Sequence, residues 1–507
     1  MFLAIGRDDG QSDRGYLKIH SVYFSGNLLK STGNQTPHPI PFLIMMTPQQ
    51  KGLAWTAAMA LFMQSLDATI LNTALPVMSA SLHESPLQME LAIISYALTV
   101  AALIPLSGWL ADRLGTVNVF RLAVAVFVLG SVACAASPTL NWLGLARILQ
   151  GVGGALMMPV ARLAIIRTVP KSELVAAWNL MSMTGLIGPI VGPILGGWMA
   201  VNLSWHWIFF INIPIGLLGI AVAGRYMPNV RTDTQPLDWQ GFLLFAGGLV
   251  GVTYGLELAA ENLHNGSRSL LIIGLGAAAM WLYAAYARRA KNPLLPLSLF
   301  RVHTFSIGLA ANLMFRVLSS GIPFLVPLML QVAFGYNAEM AGWMLAPVAL
   351  SSILMKPFTA PILVRFGYKG TLLGVAVAMS AVVAALSLLD SHSSITFYML
   401  LATCFGLCQS LMFTAINTLT IGDLSNEEAS AGSTMLSVVQ QVGIGIGIAV
   451  AAVILGAYRA AVGETGALLE QAFSYTYLSL ATFGLVLLWL LAKLHAGDGG
   501  HLNRKAT

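Results

Sequence analysis

Four charged residues stand inside long apolar stretches of this 507-residue chain: Asp67, Arg147, Arg316 and Lys356. A charged side chain at the centre of a bilayer costs about 2.5–3.5 kcal/mol on insertion scales, so each needs a partner or a task. Asp67 lies in Leu66-Asp-Ala-Thr-Ile-Leu-Asn-Thr-Ala-Leu-Pro76, one helical turn from Gln64. Burial disfavours a charged carboxylate and a nearby cation favours it. A carboxyl held between those influences can bind and release a proton as its surroundings alternate. The same residue could instead make a fixed ion pair or a helix-helix hydrogen bond that orders the structure. Arg147 lies in Leu143-Gly-Leu-Ala-Arg-Ile-Leu-Gln-Gly-Val-Gly-Gly-Ala155 and shares a helix face with Gln150, Gly151 and Gly154. Asp67 and Arg147 fall in the same half of the apolar layer, so a contact between them, direct or through water, is geometrically possible; Arg147 could instead cap backbone carbonyls. Arg162 and Glu257 fall about one turn from the ends of their stretches.

Polar stripes continue in the second half. Asn312, Arg316 and Ser319 share one face, as do Ser352, Lys356 and Thr359, then Ser410, Thr414 and Asn417, then Ser433, Ser437 and Gln440. Helices that are otherwise lipid-like turn such stripes toward a watery cavity. Gln64, Gln150, Asn312, Arg316, Lys356, Asn417 and Gln440 are therefore the expected cavity residues. In Gly185-Leu-Ile-Gly-Pro-Ile-Val-Gly-Pro-Ile-Leu-Gly-Gly197, Gly188, Gly192 and Gly196 recur every four residues and make a smooth face for close helix approach. Pro189 and Pro193 each remove a backbone donor and permit bending, so the run reads either as packing or as a hinge.

Other chemistry is not supported. No Gly-x4-Gly-Lys-Ser/Thr sequence occurs, which argues against ATP hydrolysis on this chain. His206, His264, His303 and His392 are dispersed, too far apart in the sequence pattern for a nucleophile-base or metal constellation, so neither an enzyme nor a metal site is expected. Cys134, Cys404 and Cys408 sit in apolar blocks and read as packing. Trp205, His206 and Trp207 fit an interfacial belt better than an aromatic cation box. The net charge of +6 is scattered among short loops, a pattern that does not suit nucleic acid.

The elements that must position these residues follow from composition. With 57 % hydrophobic and only 9 % charged residues, against about 25 % charged in soluble chains, most of the protein cannot face water. The apolar blocks are continuous and long enough for a span, which takes about 20 helical residues. The reading is an all-α membrane protein with fourteen spans, near 53–76, 88–110, 118–137, 141–166, 174–200, 205–227, 239–260, 269–288, 304–332, 340–363, 369–389, 394–419, 429–456 and 473–494. Loops on the side of the N-terminus carry Arg113, Arg121, Arg167, Lys171, Arg225, Arg231, Arg288, Arg289, Lys291, Arg301, Arg365 and Lys369, whereas the opposite loops carry Arg268 and Arg459. That asymmetry puts both termini on the cytoplasmic side. Gly108-Trp-Leu-Ala-Asp-Arg-Leu-Gly115 after the second span is echoed by Ala360-Pro-Ile-Leu-Val-Arg-Phe-Gly367 after the tenth. Two six-helix halves, 46–230 and 301–495, are thus expected to flank an extra helix pair at 231–300, with a polar extension at 1–45 and a cytoplasmic tail at 496–507. Met45 or Met46 is the expected native start. Duplicated halves rocking about a midplane site are an alternating-access design.

The Leu66-to-Pro76, Gly108-to-Gly115, Arg147-to-Gly154 and Gly188-to-Gly197 runs, with Trp205-His-Trp-Ile-Phe-Phe-Ile-Asn-Ile-Pro-Ile-Gly216, resemble the fourteen-helix drug:proton antiporters of the major facilitator superfamily over about residues 50–490. The resemblance implies proton coupling at Asp67, proton relay at Arg147, and a cytoplasmic charge clasp of Asp112 and Arg113, to which Arg121 is added here. It also implies an antiport role for Gly188, Pro189, Gly192, Pro193, Gly196 and Gly197. Thr116 and Val117 stand where the family loop has two basic residues, and Val364 where the second-half loop would have its Asp.

The expected function is proton-coupled export of amphipathic drugs or toxic small molecules by a monomer in the bacterial inner membrane. Its partners would be a small-molecule substrate, protons and the lipid bilayer, with no nucleic acid, and its energy source the proton gradient, with no cofactor. Because Asp67 faces three deep cations, export of an anionic metabolite, a carboxylate or its metal chelate, is an alternative on the same fold. A membrane sensor or scaffold would need a soluble signalling domain or long loops, and the chain has neither.

Overall fold

The computed structural model describes residues 47–499 apart from 170, 233–235, 262–265, 292 and 464. The expected extension over 1–45, the start at Met45 or Met46 and the tail beyond 499 lie outside the described residues, as does Glu464. Among the described residues there is no strand. An apolar chain that must satisfy every backbone donor and acceptor within one segment forms helices.

The first helix, α1 (Pro48–Leu82), starts at a capping box in which Thr47 and Gln50 satisfy each other's backbone N–H groups, and it ends at His83 in the left-handed conformation. Next, α2 (Glu90–Leu103) and α3 (Leu106–Leu114) form one span bent by 59° at Ile104-Pro105. Pro105 has no N–H to continue the ladder, which accounts for the bend. Beyond Gly115 come α4 (Thr116–Ala135), α5 (Leu140–Thr168), α6 (Lys171–Asn202) and the short α7 (Trp207–Phe210) leading into α8 (Asn212–Tyr226). The pair α9 (Trp239–Glu261) and α10 (Gly266–Ala287) follows. The second set is α11 (His303–Ser320), α12 (Ile322–Leu328) with a π-turn over 329–333, α13 (Ala338–Leu354), α14 (Lys356–Ala385), α15 (Ile395–Gly422), α16 (Asn426–Val462) and α17 (Gly466–Ala492).

Each of the fourteen expected spans finds a helical segment in order. Ten helical stretches among the described residues are long and apolar enough to cross a membrane on their own, and eleven if the bent α2–α3 pair counts as one. The other three are α1, α6 and α13, and they are the helices that bring polar residues, glycines and prolines to the centre of the protein. Several boundaries differ from expectation: α1 runs to Leu82 and not 76, and α16 to Val462 and not 456. The last helix begins at Gly466, not near 473, because Leu468 and Leu469 already provide apolar surface. The tenth and eleventh spans are joined through α14, whose two parts meet at Gly367.

That junction supports the duplication seen in the sequence. Gly115 has φ 97°, ψ 143° and Gly367 has φ 70°, ψ 169°, a conformation that only glycine adopts without strain. Each closes one copy of the repeated loop, and each lies about three turns after a break, at Ile104-Pro105 in one copy and Met355 in the other.

Within the first set, α1 packs on α6 and α8, and α5 on α2 and α4; within the second, α11 packs on α15, α16 and α17, and α15 on α13 and α14. The two sets meet reciprocally through α6 on α13 and α2 on α16, while α9 lies against α2 and α16 and carries α10. At the far face, where α1 ends, Gln331 Nε2 donates to the Thr73 carbonyl at 3.0 Å and ties the halves together.

Candidate functional site

Asp67 and Arg147 meet. Both are about 1 % exposed, and Arg147 Nη1 lies 2.7 Å from Asp67 Oδ2. Asp67 is placed on α1 by the apolar packing of Leu66, Ile70 and Leu71 beside it, and Arg147 lies on α5, where Gly151 and Gly154 allow α2 to come close through Thr99 and Tyr96. The second carboxylate oxygen, Oδ1, accepts from Gln150 Nε2 at 2.8 Å and from Asn212 Nδ2 at 3.2 Å. Both amides also donate to Ser131 Oγ, at 2.8 and 3.2 Å. Arg147 donates through Nε to the Ala92 carbonyl at 2.8 Å and through Nη1 to Gln150 Oε1 at 2.6 Å, and its guanidinium stacks 4.4 Å from the Tyr96 ring centroid. The α1 carboxylate is thus held directly by α5 and α8, while α2 supports Arg147 and α4 supports the two amides.

A buried pair is not by itself a gain in stability, but removing one partner costs about 3–5 kcal/mol because a bare charge remains. Protonating Asp67 would do chemically what mutation does genetically, turning a charge-assisted acceptor into a neutral acid and weakening the grip on Arg147, Gln150 and Asn212. Both sequence alternatives for Arg147 hold at once, since it pairs with Asp67 and also binds a carbonyl. Ser131, Asn212 and Tyr96 were missed by the sequence reading. Asn212 carried the best signal, a lone amide inside the apolar Ile-Phe-Phe-Ile-Asn-Ile-Pro run. Asp67 is also not the only buried acid: Glu90, in the first turn of α2, is 3 % exposed. It lies near the start of the expected 88–110 span and is not among the charges singled out there.

A cavity of about 340 Å³ lies between the two sets of helices. Arg316 and Lys356 line it, together with the aromatic rings of Phe315, Tyr398, Phe405 and Phe413, the polar Ser352, Gln409 and Ser410, and from the first set Thr69, Asn72, Pro189 and Pro193. No carboxylate is among the lining residues. The Phe413 ring sits between the two cations, 5.1 Å from the Arg316 guanidinium and 5.9 Å from Lys356 Nζ. Lys356 Nζ also donates to Thr414 Oγ1 at 3.1 Å. Lys356 opens α14, directly after the break at Met355, which turns it inward.

The other expected cavity residues are elsewhere. Gln150 is fully buried in the Asp67 network because its amide bridges carboxylate and hydroxyl, and Gln64 donates to the Gly154 carbonyl at 3.4 Å. Asn417 Oδ1 accepts from Asn312 Nδ2 at 2.6 Å and from Gln440 Nε2 at 2.9 Å, so these three amides bind one another across α11, α15 and α16.

The glycine face of α6 packs on α1. A Cβ at Gly188, Gly192 or Gly196 would collide with Ser65, Thr69 and the Ile70 carbonyl respectively, and Thr69 and Thr73 hydroxyls donate to the carbonyls of Gly188 at 3.3 Å and Pro193 at 3.0 Å. Gly197 abuts the Ala338 carbonyl at the start of α13. The Ser65, Thr69, Thr73 stripe of α1, also spaced by four, is the partner the sequence did not identify.

At the near face, where α1 begins, Asp112 pairs with Arg167 at 2.6 Å. Neither Arg113 nor Arg121 is its partner: Arg113 lies over the Trp109 ring at 5.1 Å, and the Arg121 guanidinium lies beside Gly224. Thr116 takes a different part. Its backbone N–H donates to Val230 O at 3.2 Å and its hydroxyl to Pro228 O at 2.5 Å, holding the chain that leaves α8. The side chains of Lys171 and Glu257 lie outside the described residues, and Arg162 is half-buried on α5.

The family model described as Major Facilitator Superfamily matches residues 57–448 and 308–504. The "Probable transport protein HsrA" of Haemophilus influenzae is 55 % identical over 454 residues, covering 90 % of this chain and 98 % of that protein. The "Putative multidrug resistance protein MdtD" of Klebsiella pneumoniae is 42 % identical over 433 residues, covering 84 % and 91 %. Among solved structures, a D-xylose-proton symporter superposes with a TM-score of 0.64 at 12 % identity, over 89 % of this chain and 99 % of that one. An inward-facing, unoccupied bacterial homologue of the human lysosomal transporter Spinster gives 0.63 at 16 % identity, over 91 % and 99 %.

Proposed function

The chain belongs to the Major Facilitator Superfamily of membrane transporters, and from that premise we propose that it exports amphipathic drugs or toxic small molecules in exchange for protons. The setting is the bacterial inner membrane, with both termini cytoplasmic and the near face of the bundle inside. The observation that carries the reading is the Asp67–Arg147 pair, a buried carboxylate on α1 that accepts from α5 and α8, with α2 and α4 bracing the donors. It sits on the same helix as Thr69 and Asn72, which line the cavity. A proton on Asp67 loosens α1 from α5 and α8, and α1 transmits the change to the α6 glycine face and to the far-face tie at Thr73. Release of the proton on the other side of the membrane restores the grip, which couples proton passage to opening and closing of the cavity.

The test is transport in proteoliposomes with an imposed pH gradient. Wild type should accumulate a fluorescent amphipathic substrate against its gradient, Asp67→Asn should not, and Asp67→Glu should retain partial activity because it still titrates. Asp67→Asn should keep downhill exchange, which needs no net proton movement. Accumulation by Asp67→Asn that collapses with a protonophore would move the coupling site elsewhere.

A second reading has its own observation. Arg316 and Lys356 line the cavity with no carboxylate beside them, and two cations around one aromatic ring favour an anion with a planar apolar body. Arg316→Gln and Lys356→Gln should each cut export of organic anions about tenfold or more and spare cationic substrates. Normal anion export by both variants would remove this reading and leave the first intact.

A further inference from the structure

Two imidazoles and a carboxylate converge at the near face, where the chain enters the second set of helices and where it leaves it. His303 is the first residue of α11, and His495 and Asp498 follow the last turn of α17. Asp498 Oδ2 lies 3.6 Å from His303 Nδ1 and 3.6 Å from His495 Nδ1, and the two ring centroids are 4.5 Å apart. One ligand atom from each of the three residues can be chosen so that all lie within 4.8 Å of one another.

These separations are too long for hydrogen bonds, which run to about 3.2 Å between N and O. They approach the spacing of ligands around one small cation: bonds of about 2.0–2.2 Å to zinc in tetrahedral geometry put neighbouring ligand atoms roughly 3.3–3.6 Å apart. The supports are independent of any ion. The His495 backbone N–H donates to Asp498 Oδ2 at 2.8 Å, and the Asp498 N–H donates to the His495 carbonyl at 3.2 Å, closing a turn that holds both side chains on one side. Lys369 Nζ anchors the chain just before that turn by donating to the Ala492 and Leu494 carbonyls at 2.9 and 2.5 Å. Thr304 Oγ1 donates to Asp423 Oδ2 at 2.6 Å and fixes the start of α11. His303 and His495 are 47 % and 73 % exposed, so an ion can reach them and water can fill the remaining coordination positions.

We propose that His303, His495 and Asp498 form a binding site for a divalent transition metal of the zinc type, bridging the end of the last span to the start of α11. Nitrogen and carboxylate donors suit zinc, nickel and cobalt, whereas magnesium and calcium require mainly oxygen ligands. The site is not legible in the sequence, because His303 and His495 are 192 positions apart and neither falls in a ligand-spacing motif.

The test uses the full chain, purified in detergent with any affinity tag removed, and Zn²⁺ titrated against a chromogenic zinc indicator, with Co²⁺ absorption as a second probe. Wild type should take up one zinc that His303→Ala, His495→Ala and Asp498→Asn each weaken at least tenfold, while metal-free melting stays unchanged. His392→Ala, an exposed histidine outside the cluster, should bind as wild type does. Unchanged zinc uptake by the variant lacking all three ligands, or no zinc uptake by wild type, would overturn the proposal.

Discussion

Asp67 and Arg147 hold each other with five helices around them, and this changes what a conservative substitution does. An Asn at 67 turns an acceptor toward the Gln150 and Asn212 amides only if its own amide group points at Arg147, where a donor would meet a cation. One face of the contact must therefore fail, and Arg147 is left charged and uncompensated. Asp67→Asn should lose about 3–5 kcal/mol of stability as well as coupling. Exchanging both partners for apolar residues of similar volume, Asp67→Leu with Arg147→Met, should recover much of that loss without restoring transport. Thermal melting in detergent beside the proteoliposome assay checks this: a double variant no more stable than the single one would show that the pair is not coupled energetically.

The element on which the geometry makes the sharpest demand is α6. Its glycines are spaced to meet Ser65, Thr69 and Thr73 of α1, and at Gly196 the obstacle to a side chain is a backbone carbonyl, that of Ile70, which cannot rotate aside. Gly196→Ala should destabilise by about 1–3 kcal/mol through overpacking. Gly219→Ala on α8, where the added Cβ meets no atom within 4 Å beyond the helix's own local backbone, should be neutral or gain up to about 1 kcal/mol from lost chain entropy. Equal melting temperatures for the two variants would mean that the α1–α6 seam yields more readily than its packing indicates. Whether the same seam also bends during transport is a separate matter from its packing, and Pro189 and Pro193 at the cavity wall are where that bending would act on substrate.

For the whole molecule, the order of helical segments among the described residues, with the basic loops of the sequence assigned to one side, gives the proposed orientation, which fusion reporters read directly. A reporter that is active only outside the inner membrane should be active when fused near Glu261, between α9 and α10, and inactive near Arg231 or Arg301. The reverse pattern would overturn the proposed topology. The paired bends and the paired positive-φ glycines at 115 and 367 give the two proposed halves one shared backbone feature, but their contents differ. The first half keeps the acid-base pair sealed among helices, and the second contributes both cations and most of the wall of the cavity.

The helical membrane class and the order of the segments were legible in the sequence, because hydropathy and glycine spacing are local properties of a chain in lipid; the same local properties mark the four charges inside apolar stretches and the proposed duplication. The sequence also left an Asp67–Arg147 contact geometrically possible beside carbonyl capping, and the structure places the two side chains 2.7 Å apart. It did not separate the cavity from the network. Gln64, Gln150, Asn312, Asn417 and Gln440 carry the same amide chemistry and the same helical spacing as a cavity wall, yet tertiary packing gives four of them to other polar side chains and one to a backbone carbonyl. Nor could it show that Arg167, and not Arg113, would reach Asp112, or that His303 and His495 would meet. Which partner a polar group finds depends on helices distant in sequence, and only the packed structure brings those helices together.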